Sequence, residues 1–160
     1  MGGGGEFGNG LAQGLVEKVN RRSAEKGVSV LVDSRRALLR EAVEAGADWI
    51  KCNLAEAEET TGLKGIDRCI RNLKRGETTG VVVTLGKDGL AAEVNGARIF
   101  VSAPQVRVLD ATGSGDVVTA TILYGELQKW TMERTLRAAV KAGAWNTKGE
   151  GNVAKAILRG

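Results

Sequence analysis

The chain has 160 residues, 42% hydrophobic and 26% charged, with a net charge of +4, enough for one domain with a buried core. No apolar run approaches the roughly 20 residues that cross a bilayer. The basic residues fall in scattered pairs (Arg21-Arg22, Arg35-Arg36, Lys74-Arg75) rather than one stripe, which argues against a nucleic-acid or membrane partner.

Histidine is absent. That removes imidazole acid–base work and Ser-His-Asp sites, and leaves a carboxylate, a lysine, Tyr124 or a thiolate as candidate base. Cys52 and Cys69 stand at no metal-ligand spacing, the pattern of reduced thiols in a cytoplasm. The opening MGGGGEFGNG lacks the basic and apolar regions of a secretory signal and reads as a flexible Gly-rich lead over residues 1–10. The remainder, 11–160, reads as one domain.

Along the chain, Leu11, Leu15, Val16 and Val19 recur at helical spacing and predict a helix over 11–26, stopped by Gly27. VSVLVD (28–33) is β-branched and predicts a buried strand. A helix follows over 37–46, then a short strand over 49–53 and short helices over 54–62 and 66–76. VVVTLG (81–86) is the clearest buried strand. LAAEV (90–94) and RIFVSA (98–103) flank Asn95-Gly96, the strongest short-range hairpin signal. Helices over 115–130 and 134–145 follow, the second with Thr131 as N-cap, and a last short helix is expected over 150–158. Alternating strands and helices argue for βαβ units and a mainly parallel sheet. In such sheets ligands sit beyond the carboxyl ends of the strands, here Asp33, Asn53 and Thr84-Leu85-Gly86.

Three stretches carry candidate chemistry. In DATGSGD (110–116), a glycine-rich turn opens a helix and presents unpaired N–H groups to an anion. Asp116 would be either a base beside that anion or simply an acidic residue favoured in a first helical turn. In KCNLAEAE (51–58), Asn53 and Glu56 would either hold a hydrated Mg²⁺ or form a capping box. In TLGKDG (84–89), small residues would let a ligand approach the backbone or make a plain turn.

In this order, and preceded by VLVDSR, the three stretches resemble the ribokinase-like (PfkB) carbohydrate kinase family, specifically its C-terminal half, over residues 11–160. The family's elements read k-P-N-x-x-E, v-v-v-T-l-G-x-x-G and D-[ST]-T-G-A-G-D. The resemblance implies a three-layer, Rossmann-like α/β fold with a mainly parallel sheet plus a β-hairpin, truncated on its N-terminal side. It implies an ATP- and Mg²⁺-dependent kinase acting on an alcohol group of a sugar or sugar phosphate. Asp116 would be the catalytic base and the amides of Gly113, Ser114 and Gly115 the anion hole. Lys51 and Asn53 would approach the ATP phosphates, Asn53 and Glu56 would order Mg²⁺ through water, and Thr84, Gly86 and Gly89 would line the nucleotide groove. Asp110 and Thr112 fall where many members bind a monovalent cation, usually K⁺.

The sequence departs from the family in four places. Cys52 replaces the proline of k-P-N, Ser114 replaces the middle alanine of the anion hole, and Val140 stands where many members carry an adenine-contacting Asn. The family's N-terminal half, with nearly all its acceptor contacts, has no counterpart. A second copy or a complementing half is therefore the expected partner, and a non-catalytic ATP- or ADP-binding module is the alternative reading.

Overall fold

The computed structural model describes residues 9–76 and 78–149. The elements are α1 (Asn9–Lys26), β1 (Leu31–Asp33), α2 (Arg36–Glu44), β2 (Trp49–Asn53), α3 (Leu54–Thr61), α4 (Ile66–Leu73), β3 (Gly80–Thr84), β4 (Leu90–Val94), β5 (Ala97–Val101), α5 (Ser114–Leu127) and α6 (Met132–Asn146). A 3₁₀ turn spans Gly86–Asp88. The strands form one sheet in the order β1-β2-β3-β4-β5. β1 and β2 run parallel, with Leu31 opposite Trp49 and Asp33 opposite Lys51. The two-residue turn between β4 and β5 makes that pair antiparallel, so the sheet is mixed. Asn95 and Gly96 lie at φ 48° and 81°, the pair of positive values that a type I′ hairpin turn requires.

Several boundaries differ from the sequence reading. The lead expected over 1–10 lies outside the described residues up to residue 8, while Asn9 and Gly10 open α1. The helix expected over 150–158 also lies outside them. β1 starts three residues late because its approach bonds elsewhere. Val28 N–H closes on Ser23 O at 2.9 Å, and Val30 N–H donates to the Asp48 carboxylate at 2.7 Å. α5 stops at Leu127, because Lys129 turns left-handed at φ 55° and Trp130 N–H closes on Gly125 O at 2.9 Å. α6 begins two residues earlier than expected, still capped by Thr131, whose Oγ1 accepts from Arg134 N–H at 3.4 Å.

The described residues divide into two compact units, those up to 83 with 92–97 and those of 84–91 with the residues from 98 on. In the first, α1 packs on α2, α2 on α3 and α3 on α4. Leu39, Ile50, Ile70, Leu73 and Val81 to Val83 are fully buried, each side chain contributing about 1.5–3 kcal/mol. The Trp49 indole fills the space beside Gly80, where a Cβ would lie 2.2 Å from the ring. Asp48 links the starts of three strands: its carboxylate holds Val30 N–H, and its carbonyl accepts from Thr79 and Gly80 N–H at 2.7 and 3.1 Å. In the second unit α5 packs along α6, with Ile122, Leu136 and Ala139 fully buried. The helices approach closely at Gly125, where a Cβ would meet Thr135 Oγ1 at 2.4 Å.

Candidate functional site

Within the second unit, one cavity of about 560 Å³ gathers residues from distant stretches. Thr84, Gly86 and Gly89 line it from the turn that begins as β3 ends, and Ser114 and Gly115 line it from the start of α5. Leu85 N–H donates to Gly89 O at 2.8 Å and closes the first turn. Gly89 sits at φ 108°, and a Cβ there would lie 1.9 Å from Val101 O. No other residue fits, so the glycine expected from the motif is required by close backbone approach. Val118 and Val140 add apolar lining.

The DATGSGD stretch is built on two local turns. Thr112 N–H donates to Asp110 Oδ1 at 2.8 Å. The Thr112 hydroxyl and N–H together hold the Asp110 carboxyl below its usual range. Ser114 N–H donates to Ala111 O at 3.2 Å, which occupies one of the three amides expected to face an anion. Gly113, at φ 75°, is the N-cap of α5, and its carbonyl accepts from Val117 N–H at 3.0 Å. Gly115 and Asp116 lie in the first helical turn, where backbone N–H groups have no helical acceptor. Asp116 is exposed, one residue beyond the lining residue Gly115.

The end of α6 completes this region, and the sequence reading had not singled it out. Thr147 O accepts from Leu109 and Asp110 N–H at 2.8 and 3.0 Å. Asn146 Nδ2 donates to Thr112 O at 2.9 Å and lies 3.3 Å from Ser114 Oγ. These partners stand more than thirty residues apart in sequence, so no local pattern announces them.

The first unit holds the other candidates. Lys51 Nζ pairs with Asp33 Oδ2 at 2.7 Å, the lysine side chain being only 6% exposed. Adjacent strands place the two residues opposite each other, at the carboxyl end of β1 and the middle of β2. Asn53 Oδ1 accepts from Glu56 N–H at 2.9 Å and Glu56 Oε2 accepts from Asn53 N–H at 2.8 Å, a complete capping box on α3. Cys52, in the position of the family proline, is fully buried. Burial pushes its thiol up to about 12, with the nearby Glu56 carboxylate adding to the shift. Cys52 and Cys69 are both reduced thiols, and both are buried. Among the described residues no helix is long and apolar enough to cross a membrane.

The model of the pfkB family carbohydrate kinases matches residues 7–156. A tagatose-6-phosphate kinase of Staphylococcus epidermidis is 26% identical over 151 residues, 89% of this chain and 48% of that enzyme. Two solved structures share the fold. An Arabidopsis thaliana ribokinase complexed with ribose and ATP superposes with a TM-score of 0.74 at 23% identity, over 92% of this chain and 52% of that one. Escherichia coli phosphofructokinase-2 in complex with potassium superposes at 0.77 and 20% identity, again over 92% and 52%. The chain thus spans about half the length of the relatives it matches. A cavity joining the TLGKDG and DATGSGD stretches, a ribokinase-like fold and a family match over nearly the whole chain together make it a member of the pfkB family of carbohydrate kinases.

Proposed function

We propose that this chain is the nucleotide-binding part of an ATP-dependent phosphotransferase acting on an alcohol group of a sugar or sugar phosphate. The observation that carries the reading is the single cavity shared by Thr84, Gly86, Gly89, Ser114 and Gly115. Its chemistry suits a nucleotide. Apolar walls at Val118 and Val140 take a flat base, and free N–H groups at the start of α5 take phosphate oxygens. ATP, when bound, supplies the phosphoryl group. The chain's own residues then orient and neutralise. The amides of Gly113 and Gly115 stabilise charge on the transferred group, and Ser114 keeps the turn closed through its N–H bond to Ala111 O. Asp116 takes the proton of the acceptor hydroxyl through its carboxylate. Lys51 binds phosphate, and Glu56 with Asn53 holds Mg²⁺ through water, as suits an ion that keeps most of its hydration shell. Asp110 and Thr112 supply oxygen donors for K⁺.

The apolar surface that α5 leaves exposed at Leu123 and Leu127 favours a second reading: a non-catalytic ATP- or ADP-binding module that associates with a second copy or a complementing half. An ADP-release assay over a panel of sugar phosphates, run beside calorimetric titration with Mg-ATP, separates the two. Under the first reading Asp116→Asn lowers turnover by about 100-fold or more and leaves ATP affinity within about two-fold. ATP binding without turnover on any acceptor points to the second. An Asp116→Asn variant with full turnover removes Asp116 as base.

A further inference from the structure

We propose that Asn146 is a positioning residue for the anion-binding turn: its side chain fixes the Thr112–Gly113 peptide and so sets which backbone groups of the turn face a phosphate. The ligand in this statement rests on the kinase reading above; the anchoring does not. Gly113 lies at φ 75° between Thr112 and Ser114, and glycine loses more conformational freedom on ordering than any other residue. An unanchored peptide bond before such a glycine can turn over, and doing so exchanges the directions of the Thr112 carbonyl and the Gly113 N–H. A carbonyl facing an anion repels it, whereas an N–H attracts it.

The local bond within the turn, Ser114 N–H to Ala111 O, is long at 3.2 Å. The end of α6 adds anchors of two kinds. Thr147 O holds Leu109 and Asp110 through backbone bonds, which any side chain at 147 would leave in place. Asn146 holds the next segment with side-chain atoms. One Nδ2 hydrogen goes to Thr112 O at 2.9 Å, and the same nitrogen reaches Ser114 Oγ at 3.3 Å. An amide is needed for this, since two donors on one nitrogen serve two acceptors on either side of Gly113. A side chain of similar size without donors would fill the space and release the peptide.

Asn146→Leu and Asn146→Ala test this, with folding checked by thermal melting. Two measurements apply. Amide hydrogen exchange by NMR on the ligand-free chain reads the turn directly, and Ser114 N–H should exchange about ten-fold faster in both variants. Calorimetry with adenosine and with ATP reads the phosphates, the transferable one among them. Affinity for ATP should fall about ten-fold while affinity for adenosine stays at the wild-type value. Unchanged exchange at Ser114 in Asn146→Leu overturns the anchoring. Equal weakening of adenosine and ATP overturns the phosphate-specific role and leaves a purely structural one. If the wild-type chain binds ATP no more tightly than adenosine, the phosphate site of the kinase reading fails, while the exchange data still decide the anchor.

Discussion

Asn53 and Glu56 meet through two reciprocal hydrogen bonds, so the pair proposed to order Mg²⁺ also starts α3. Both interpretations open in the sequence therefore share the same atoms, and substitution separates them. Glu56→Gln keeps an oxygen that accepts from Asn53 N–H but removes the charge. It should leave the melting temperature almost unchanged and abolish the Mg²⁺ dependence of ATP binding, measured by titration with and without the ion. Asn53→Ala breaks the cap and should cost about 1 kcal/mol in denaturant unfolding. Equal Mg²⁺ dependence in Glu56→Gln and wild type would leave the pair a cap alone. Cys52 makes a different point. Its place in the motif was legible, but its deep burial was not, because the shielding comes from elements remote in sequence. Its folded thiol lies at about 12 against 9.0 for the free side chain. The folded state therefore keeps its proton longer than the unfolded one, and stability falls as pH rises from about 9 towards 12. A Cys52→Ala variant should lose that part of the alkaline decline in a series of melts.

Among the elements, α5 and α6 show what patterning conveys and what it omits. Thr131 as N-cap and the apolar run after DATGSGD were enough to place both helices. The closeness of their contact was not legible, since it depends on Gly125 meeting Thr135. Gly125→Ala should destabilise the chain by about 1–3 kcal/mol through overpacking, despite the gain in helix propensity that alanine normally brings. Thr135→Val should be neutral or stabilising, because the Thr135 hydroxyl is buried with no hydrogen-bond partner among the described residues and removing it ends a desolvation cost. Chemical denaturation of the two variants checks both signs. The Asn95-Gly96 hairpin was readable because its turn needs two positive φ values that few residue pairs supply. The start of β1 was not, because the Asp48 carboxylate takes up Val30 N–H from a distance of eighteen residues.

At the scale of the whole molecule, family and fold were legible because three motifs keep their order across the chain, and the resemblance already implied that TLGKDG and DATGSGD serve one nucleotide site; the lining of their shared cavity needed coordinates. α5 is rich in apolar residues, yet Leu127 is 79% exposed and Leu123 43%. A helix of this composition usually has every face covered. That exposure leads us to expect association, either with a second copy or with a complementing half. Sedimentation at rising concentration should show mass increasing above the monomer, and Leu127→Lys should reduce it; a monodisperse monomer throughout would count against this. The packing of Trp49 beside Gly80 has an optical consequence. Trp49 is 3% exposed and is the first unit's tryptophan, whereas Trp130 and the 43%-exposed Trp145 belong to the second. Native fluorescence therefore contains a blue component from one unit and a redder component from the other. Following the two wavelengths through a single urea titration reports whether the units unfold together or in turn, with no label added.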